Sequence, residues 1–309
     1  MREPDPLSAL SLVLASIGAP RNTRALLVLL GSFATAGLLV AMAQASLARD
    51  GAMWWGPLQA GAALFVAFYG GNAAGILVMD DARGQPPREI ADALRASLAT
   101  AHRLLLLFLL VLIVYAIGAA LLWGLLWLCR TAVAGPVAGP LLFGALVPVG
   151  VLGVGLAALA LLAVIVPLAA PGVWSGARVG VLARRLGVLV RRRLLLVVLL
   201  MAAVSVLTAG MGAVVTFVVM AGGRVVSELG VAVVGVDVPA QQLMGGLLGY
   251  GLRSQGAAGA PLGSTAHASA ALVGGGLVFA LALVLPGLVY LRGTCAVYLA
   301  LVADLDPPP

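Results

Sequence analysis

Two stretches hold the side chains best placed to do chemistry. The first is Tyr69-Gly70-Gly71-Asn72-Ala73-Ala74-Gly75, the most polar spot inside a long apolar run. A carboxamide in hydrocarbon must find partners for its carbonyl and its amide hydrogens. Asn72, with Tyr69 beside it, either lines a substrate path or bonds across a helix contact. Gly71 and Gly75, four residues apart, form the small face such a contact needs, and this favours packing. The second stretch, Pro171 to Arg193, carries Arg178, Arg184, Arg185, Arg191, Arg192 and Arg193, six of the eighteen basic residues in the chain. Val179, Leu182, Leu186 and Val190 make one helical face, and Arg178, Arg185 and Arg192 recur every seven residues on another. The pattern predicts a helix on a membrane surface, its apolar side in the acyl boundary and its guanidiniums among anionic headgroups. A basic loop that only sets topology is the plainer alternative.

The elements that must position these residues follow from composition. Apolar residues make up 62% of the 309-residue chain and charged residues 9%, against about a quarter charged in an ordinary soluble domain. Several apolar runs exceed the ~20 residues that cross a bilayer. The chain therefore reads as an all-α, polytopic membrane protein. Every basic residue other than His is Arg, and with 40 Gly this points to a GC-rich bacterial genome and a bacterial inner membrane. The net charge of +7 lies at span ends without aromatic interleaving, so anionic lipid rather than nucleic acid is the expected partner. No cofactor is expected. Two His and no paired Cys leave no zinc or haem site, and a chain without Lys has no phosphate-binding Gly-x-x-x-x-Gly-Lys loop. Cys129 and Cys295 fall at opposite ends of their spans.

Six spans are expected, at 25–47, 57–79, 104–128, 141–170, 194–221 and 268–286, the fourth kinked by Pro148 and Pro167. Ala43-Gln44-Ala45 imitates a signal-peptidase site, but its apolar run is longer than the usual ~7–15-residue core, so cleavage is rejected. With the N-terminus inside, inner segments hold fourteen Arg and outer segments four: Arg49, Arg130, Arg224 and Arg253. That asymmetry sets both termini inside. Trp54, Trp55, Trp123 and Trp127 then share the outer interface.

Pro6, Pro87 and Pro171 each open a short amphipathic segment leading into a span. Leu7, Leu10, Leu14 and Ile17 predict the first as an interfacial helix. Ile90, Leu94 and Leu98 make a ridge on the second, where Arg88 and Asp92 are placed to pair. The layout suggests one membrane domain over 1–309 built from three tandem αα units, 6–80, 87–170 and 171–286, each preceded by a short inner-surface helix. The connection 222–266 is an apolar, Gly-rich outer loop, either re-entrant or interfacial, or else a partner-binding or tethering segment. The tail 287–309 either continues the sixth span or bends at Pro286.

Pro87 followed by Ala93-Leu94-Arg95-Ala96-Ser97-Leu98, running directly into a span, resembles a feature of poorly characterised bacterial six-span families. Among them is the membrane domain sometimes joined to glycerophosphodiester phosphodiesterases. The likeness covers the layout and this segment, and it implies an integral membrane role without a known catalytic residue. Ser175-Gly176 and Ala266-His267 also resemble fragments of rhomboid proteases. Here Val173 stands where the first Gly of Gly-x-Ser-Gly belongs, no His-x-x-Asn accompanies the second span, and Ser175 and His267 fall on opposite faces. A nucleophile and its base must come within ~3 Å, so the protease reading is set aside. Asp237, Ser254, Ser264 and His267 share the outer connection, where solvated loop residues are the default. No ionisable group is expected at mid-membrane depth, which counts against an ion-coupled carrier. The expected function is a non-catalytic transmembrane subunit or scaffold of an envelope or export complex, with a permease or channel for a lipid-like or small neutral solute as the alternative.

Overall fold

The computed structural model describes residues 11, 13–47, 54–86, 88–130, 135–234 and 266–302. Among them every element is helical. A 3-10 helix, Ala15–Arg21, leads into α1 (Thr23–Leu47), and α2 (Trp55–Ala82) returns against it. A short α3 (Ile90–Thr100) precedes α4 (His102–Arg130) and α5 (Gly135–Ala160). A π-helical turn, Leu161–Ile165, joins α5 to α6 (Val166–Trp174). A second short helix, α7 (Val179–Arg192), precedes α8 (Leu194–Val234), and α9 (Ala266–Val302) packs back on α8. Short, long, long is thus the order of elements three times over. Among the described residues six stretches are long and apolar enough to cross a membrane.

The π-helical turn lies just before Pro167, whose missing N–H and bulky ring disrupt the regular ladder at this point. Pro171 does not open a surface segment. It is buried within α6, and the break comes at Gly176, whose φ of +87° suits a residue without a Cβ. Ala177 N–H donates to the Gly172 carbonyl and Gly176 N–H to that of Val173, a Schellman cap. The same cap closes α2, where Gly84 has a φ of +67°. There Gln85 N–H donates to the Asp80 carbonyl and Gly84 N–H to that of Asp81. After each cap an extended residue, Glu89 or Arg178, starts the next short helix.

Other expectations are corrected. Residues 222–234 continue α8 rather than opening a loop, and 235–265 lie outside the described residues. Residues 287–302 of the tail continue through Pro286 as part of α9, 303–309 lie outside the described residues, and the stretch of α9 that qualifies as a span is Ala280–Val302, not 268–286. Asp92 meets Arg95 at 3.4 Å, while Arg88 turns away to Asp80 at 2.9 Å. Leu7 and Leu10 lie outside the described residues, whereas Leu14 and Ile17 are exposed. Val13, Ser16 and Ala19 are buried in their place, at the three-residue spacing of a 3-10 helix. On α3 likewise, Ala93 and Ser97 face the protein while Ile90, Leu94 and Leu98 face out. In hydrocarbon a large apolar side chain needs no protein cover, and small residues let helices approach closely.

One end of the bundle carries the core. Its buried residues come from the beginnings of α1, α4 and α8, the last turns of α2 and α9, and α6 and α7. We call this the Arg end, because the arginine-bearing helix α7 lies there. Toward the opposite Trp end, with Trp54, Trp55, Trp123 and Trp127, most large side chains of α4, α5 and the far half of α8 are exposed.

Candidate functional site

The Arg-end half of α2 is the centre of the molecule, with Asn72 to Asp80 buried without interruption. A helix buried all round needs small residues wherever neighbours cross it. Gly75 fills this role: a Cβ there would overlap the indole of Trp174. Gly70 does the same for Ser32 of α1, whereas a Cβ at Gly71 meets nothing. The close contacts therefore use Gly70 and Gly75, on different neighbours, instead of the expected Gly71–Gly75 pair. Sequence spacing alone does not separate two adjacent glycines one helical step apart.

The indole that covers Gly75 also satisfies Asn72. Trp174 Nε1–H donates to Asn72 Oδ1 at 2.9 Å, and Asn72 Nδ2 donates to the Phe68 carbonyl at 2.8 Å. Asn72 thus ties α2 to the end of α6. The Tyr69 ring packs on Phe65 and Phe68, and its carbonyl accepts the Ser97 hydroxyl at 2.7 Å. That bond holds α3 against α2. Trp174 was missed as a partner of Asn72, although one signal was available: it is the fifth Trp of the chain and stands apart from the four at the other interface.

Beyond Asp80 the helix end becomes a ring of charges. Asp80 pairs with Arg88, and Arg24 Nη1 donates to the Arg88 carbonyl at 2.9 Å. Asp81 pairs with Arg292 of α9. Arg83 Nη2 donates to the Ser175 carbonyl at 3.2 Å, so the arginine at one helix end holds the carbonyl at the other. Asn22 accepts from Ala25 N–H as the N-cap of α1 and donates to the Leu77 carbonyl of α2 at 3.3 Å. Arg292 lies inside the apolar stretch Ala280–Val302. Its carboxylate partner, invisible to a scan of α9 alone, comes from the last turn of α2.

The six arginines of the opening motif divide. Leu182, Leu186 and Leu189 are buried, with Leu182 filling the space above Gly172. The apolar side of α7 is therefore covered by protein, not by the acyl boundary as expected. Arg178, Arg184, Arg191 and Arg192 are exposed, and Arg185 and Arg193 are half-buried. Arg185 Nη1 donates to Tyr298 Oη at 3.5 Å, the limit of a hydrogen bond.

Ser175 donates its hydroxyl to the Gly172 carbonyl at 2.7 Å. His267 stands in the first turn of α9, about 37 Å along that helix from Arg292, at 1.5 Å per residue. Ser175, bound to Arg83, shares the charged ring with Arg292 and so lies far from His267. Cys129, near the Trp end of α4, and Cys295, buried at the Arg end, are both free. Among the described residues no three His, Cys, Asp or Glu side chains gather closely enough to hold a metal ion. No family model, no curated protein and no solved structure matches this chain.

Proposed function

We propose that this protein is a non-catalytic transmembrane subunit or scaffold of a bacterial inner-membrane complex, with its Arg end toward the cytoplasm. The supporting observation is the state of Asn72. Its carbonyl is held by Trp174 and its amide by Phe68, within a stretch of α2 buried on all sides. A polar group engaged in this way ties helices together and is poorly placed to receive a solute. Around this fixed centre, α4 and α5 present uncovered apolar surfaces, with Val149, Leu152 and Leu156 all more than half exposed. Such a surface suits a neighbouring transmembrane helix as well as lipid.

Extraction into lipid nanodiscs, affinity purification and mass spectrometry test the reading. We expect a stoichiometric membrane-protein partner that is lost in Gly153→Trp. Among the described residues a Cβ at Gly153 meets nothing within 4 Å, so this variant keeps the fold while blocking close helix approach. A solitary protein in the disc would contradict the scaffold reading. Orientation has its own test. In a Cys129→Ser background, Arg253→Cys is expected to react with an impermeant thiol reagent from outside the cell and Arg184→Cys is not, and the reverse pattern would invert the orientation.

The second reading, a permease for a lipid-like or small neutral solute, is favoured by the exposed far halves of the spans. Beyond Val204, for example, Val206, Val214, Phe217 and Val218 of α8 are uncovered, leaving apolar faces open at the Trp end. It expects solute flux into proteoliposomes that falls in Asn72→Ala. The scaffold reading expects no flux in either protein.

A further inference from the structure

We infer that the exposed face of α7 is a seat for the headgroup of an anionic phospholipid, a notch floored by Gly187 and flanked by Arg184 and Arg191. The inference rests on the membrane reading of the spans and is independent of any protein partner. α7 lies between α6 and α8, both parts of membrane-crossing stretches, and so occupies the bilayer surface. Burial of Leu182, Leu186 and Leu189 fixes its rotation. The arginine face is therefore held outward by packing before any lipid arrives, which lowers the ordering cost of binding.

Arg184 and Arg191 are seven residues apart on one side of the helix, about 10 Å along its axis. Gly187 follows the first by three residues and precedes the second by four, so it lies between them on the same side. A Cβ at Gly187 meets nothing within 4 Å. The two long side chains can close on one phosphate above this gap, and the planar guanidinium suits bidentate phosphate binding. Arg192 adds a third exposed cation beside them.

Among the described residues none of these three charges is satisfied. Residues 171–193 contain no Asp or Glu. Asp80, Asp81 and Asp92 are taken by Arg88, Arg292 and Arg95. Among the described residues Arg184, Arg191 and Arg192 make no ion pair or hydrogen bond. A lipid, rather than free phosphate, is the occupant because exposed apolar side chains follow the cations within a few residues of the chain. Leu195 and Leu199, one turn apart at the start of α8, are 76% and 68% exposed.

The test uses the full chain in nanodiscs of phosphatidylcholine doped with phosphatidylglycerol, with retained lipid counted by native mass spectrometry. Wild type is expected to retain phosphatidylglycerol in preference to phosphatidylcholine. Arg184→Gln with Arg191→Gln should lower that preference about 25-fold, at about fivefold per arginine. Gly187→Leu, which keeps every charge, should lower it several-fold, and inorganic phosphate should leave it unchanged. Buried Cys295 should stay unreactive to thiol reagents in all variants, separating lost binding from lost fold. Undiminished preference in the double Gln variant would overturn the proposal. So would indifference to Gly187→Leu, which would mean diffuse charge, or full displacement by inorganic phosphate, which would mean a free-anion site.

Discussion

The Arg end and the Trp end of this molecule are built from the same helices but obey different packing rules. At the Arg end, α2 is enclosed by α1, α3, α6 and α9, glycines give way to Ser32 and Trp174, and carboxamide, indole and carboxylates all find partners. At the Trp end the same spans continue with most of their large side chains uncovered. Midway along the spans Tyr115, donating to the Ala157 carbonyl, joins α4 to α5, and at the Trp end Ser46, donating to Gln59, joins α1 to α2. The difference teaches where stability resides. Lipid is as apolar as a leucine side chain, so burying more leucine adds little, and helices are held by close approach and satisfied polar groups. Both are concentrated at the Arg end.

Substitutions that overfill the Arg-end core should break this contrast most severely. Gly75→Val would place side-chain atoms in the volume of the Trp174 ring, and we expect a loss of about 3 kcal/mol, the upper part of the overpacking range. A thiol-reactive fluorophore that reports exposure of Cys295, in a Cys129→Ser background, reads the loss as a lower thermal midpoint. Next comes the hydrogen bond itself. Trp174→Phe keeps an aromatic ring, though a smaller one, but orphans the buried Asn72 carbonyl, at a cost of about 1–2 kcal/mol for the lost hydrogen bond. The double variant with Asn72→Leu should lose less than the sum of the two single changes, and additive losses would show that the two side chains do not interact.

Smaller effects sharpen the contrast. Asp81 and Arg292 are only partly covered by the protein, with side chains 37% and 24% exposed. Arg292→Gln should therefore cost no more than about 1 kcal/mol, and high salt should shrink the difference. At the Trp end, Leu152→Ala removes an exposed side chain and should change stability by less than about 0.5 kcal/mol. A loss there comparable to that at Gly75 would erase the distinction between the ends.

The amino-acid sequence made much of this fold legible, for reasons that also explain where it misled. Crossing segments are legible because hydrocarbon forbids unsatisfied backbone, so long apolar runs declare themselves as helices. Helix ends were harder. Gly222 and Gly223 read as the start of a loop, yet α8 runs on to Val234, because glycine weakens a helix without ending it. Pro171 read as a helix start because proline suits that position, but the π-helical turn accommodates the prolines of α6 and moves the break to Gly176. The inward faces of the 3-10 helix and α3 were inverted, since a hydrophobic ridge marks the protein-facing side in water and the lipid-facing side in a membrane. On α7 the ridge does face the protein, because arginine occupies the outer side. Partners distant in sequence, such as Trp174 for Asn72 and Asp81 for Arg292, carry no local pattern at all.

The most direct test of the central claim is a lipid-side footprint. A diffusible, membrane-dissolved carbene reagent is activated with the protein in nanodiscs, and labelled peptides are located by mass spectrometry. We expect heavy labelling of α4, α5 and the part of α8 beyond Val204, with residues 72–80 and 168–174 protected. Labelling spread evenly along the spans, or concentrated on residues 72–80, would contradict it and would mean that the Arg-end half of α2 lies open to lipid.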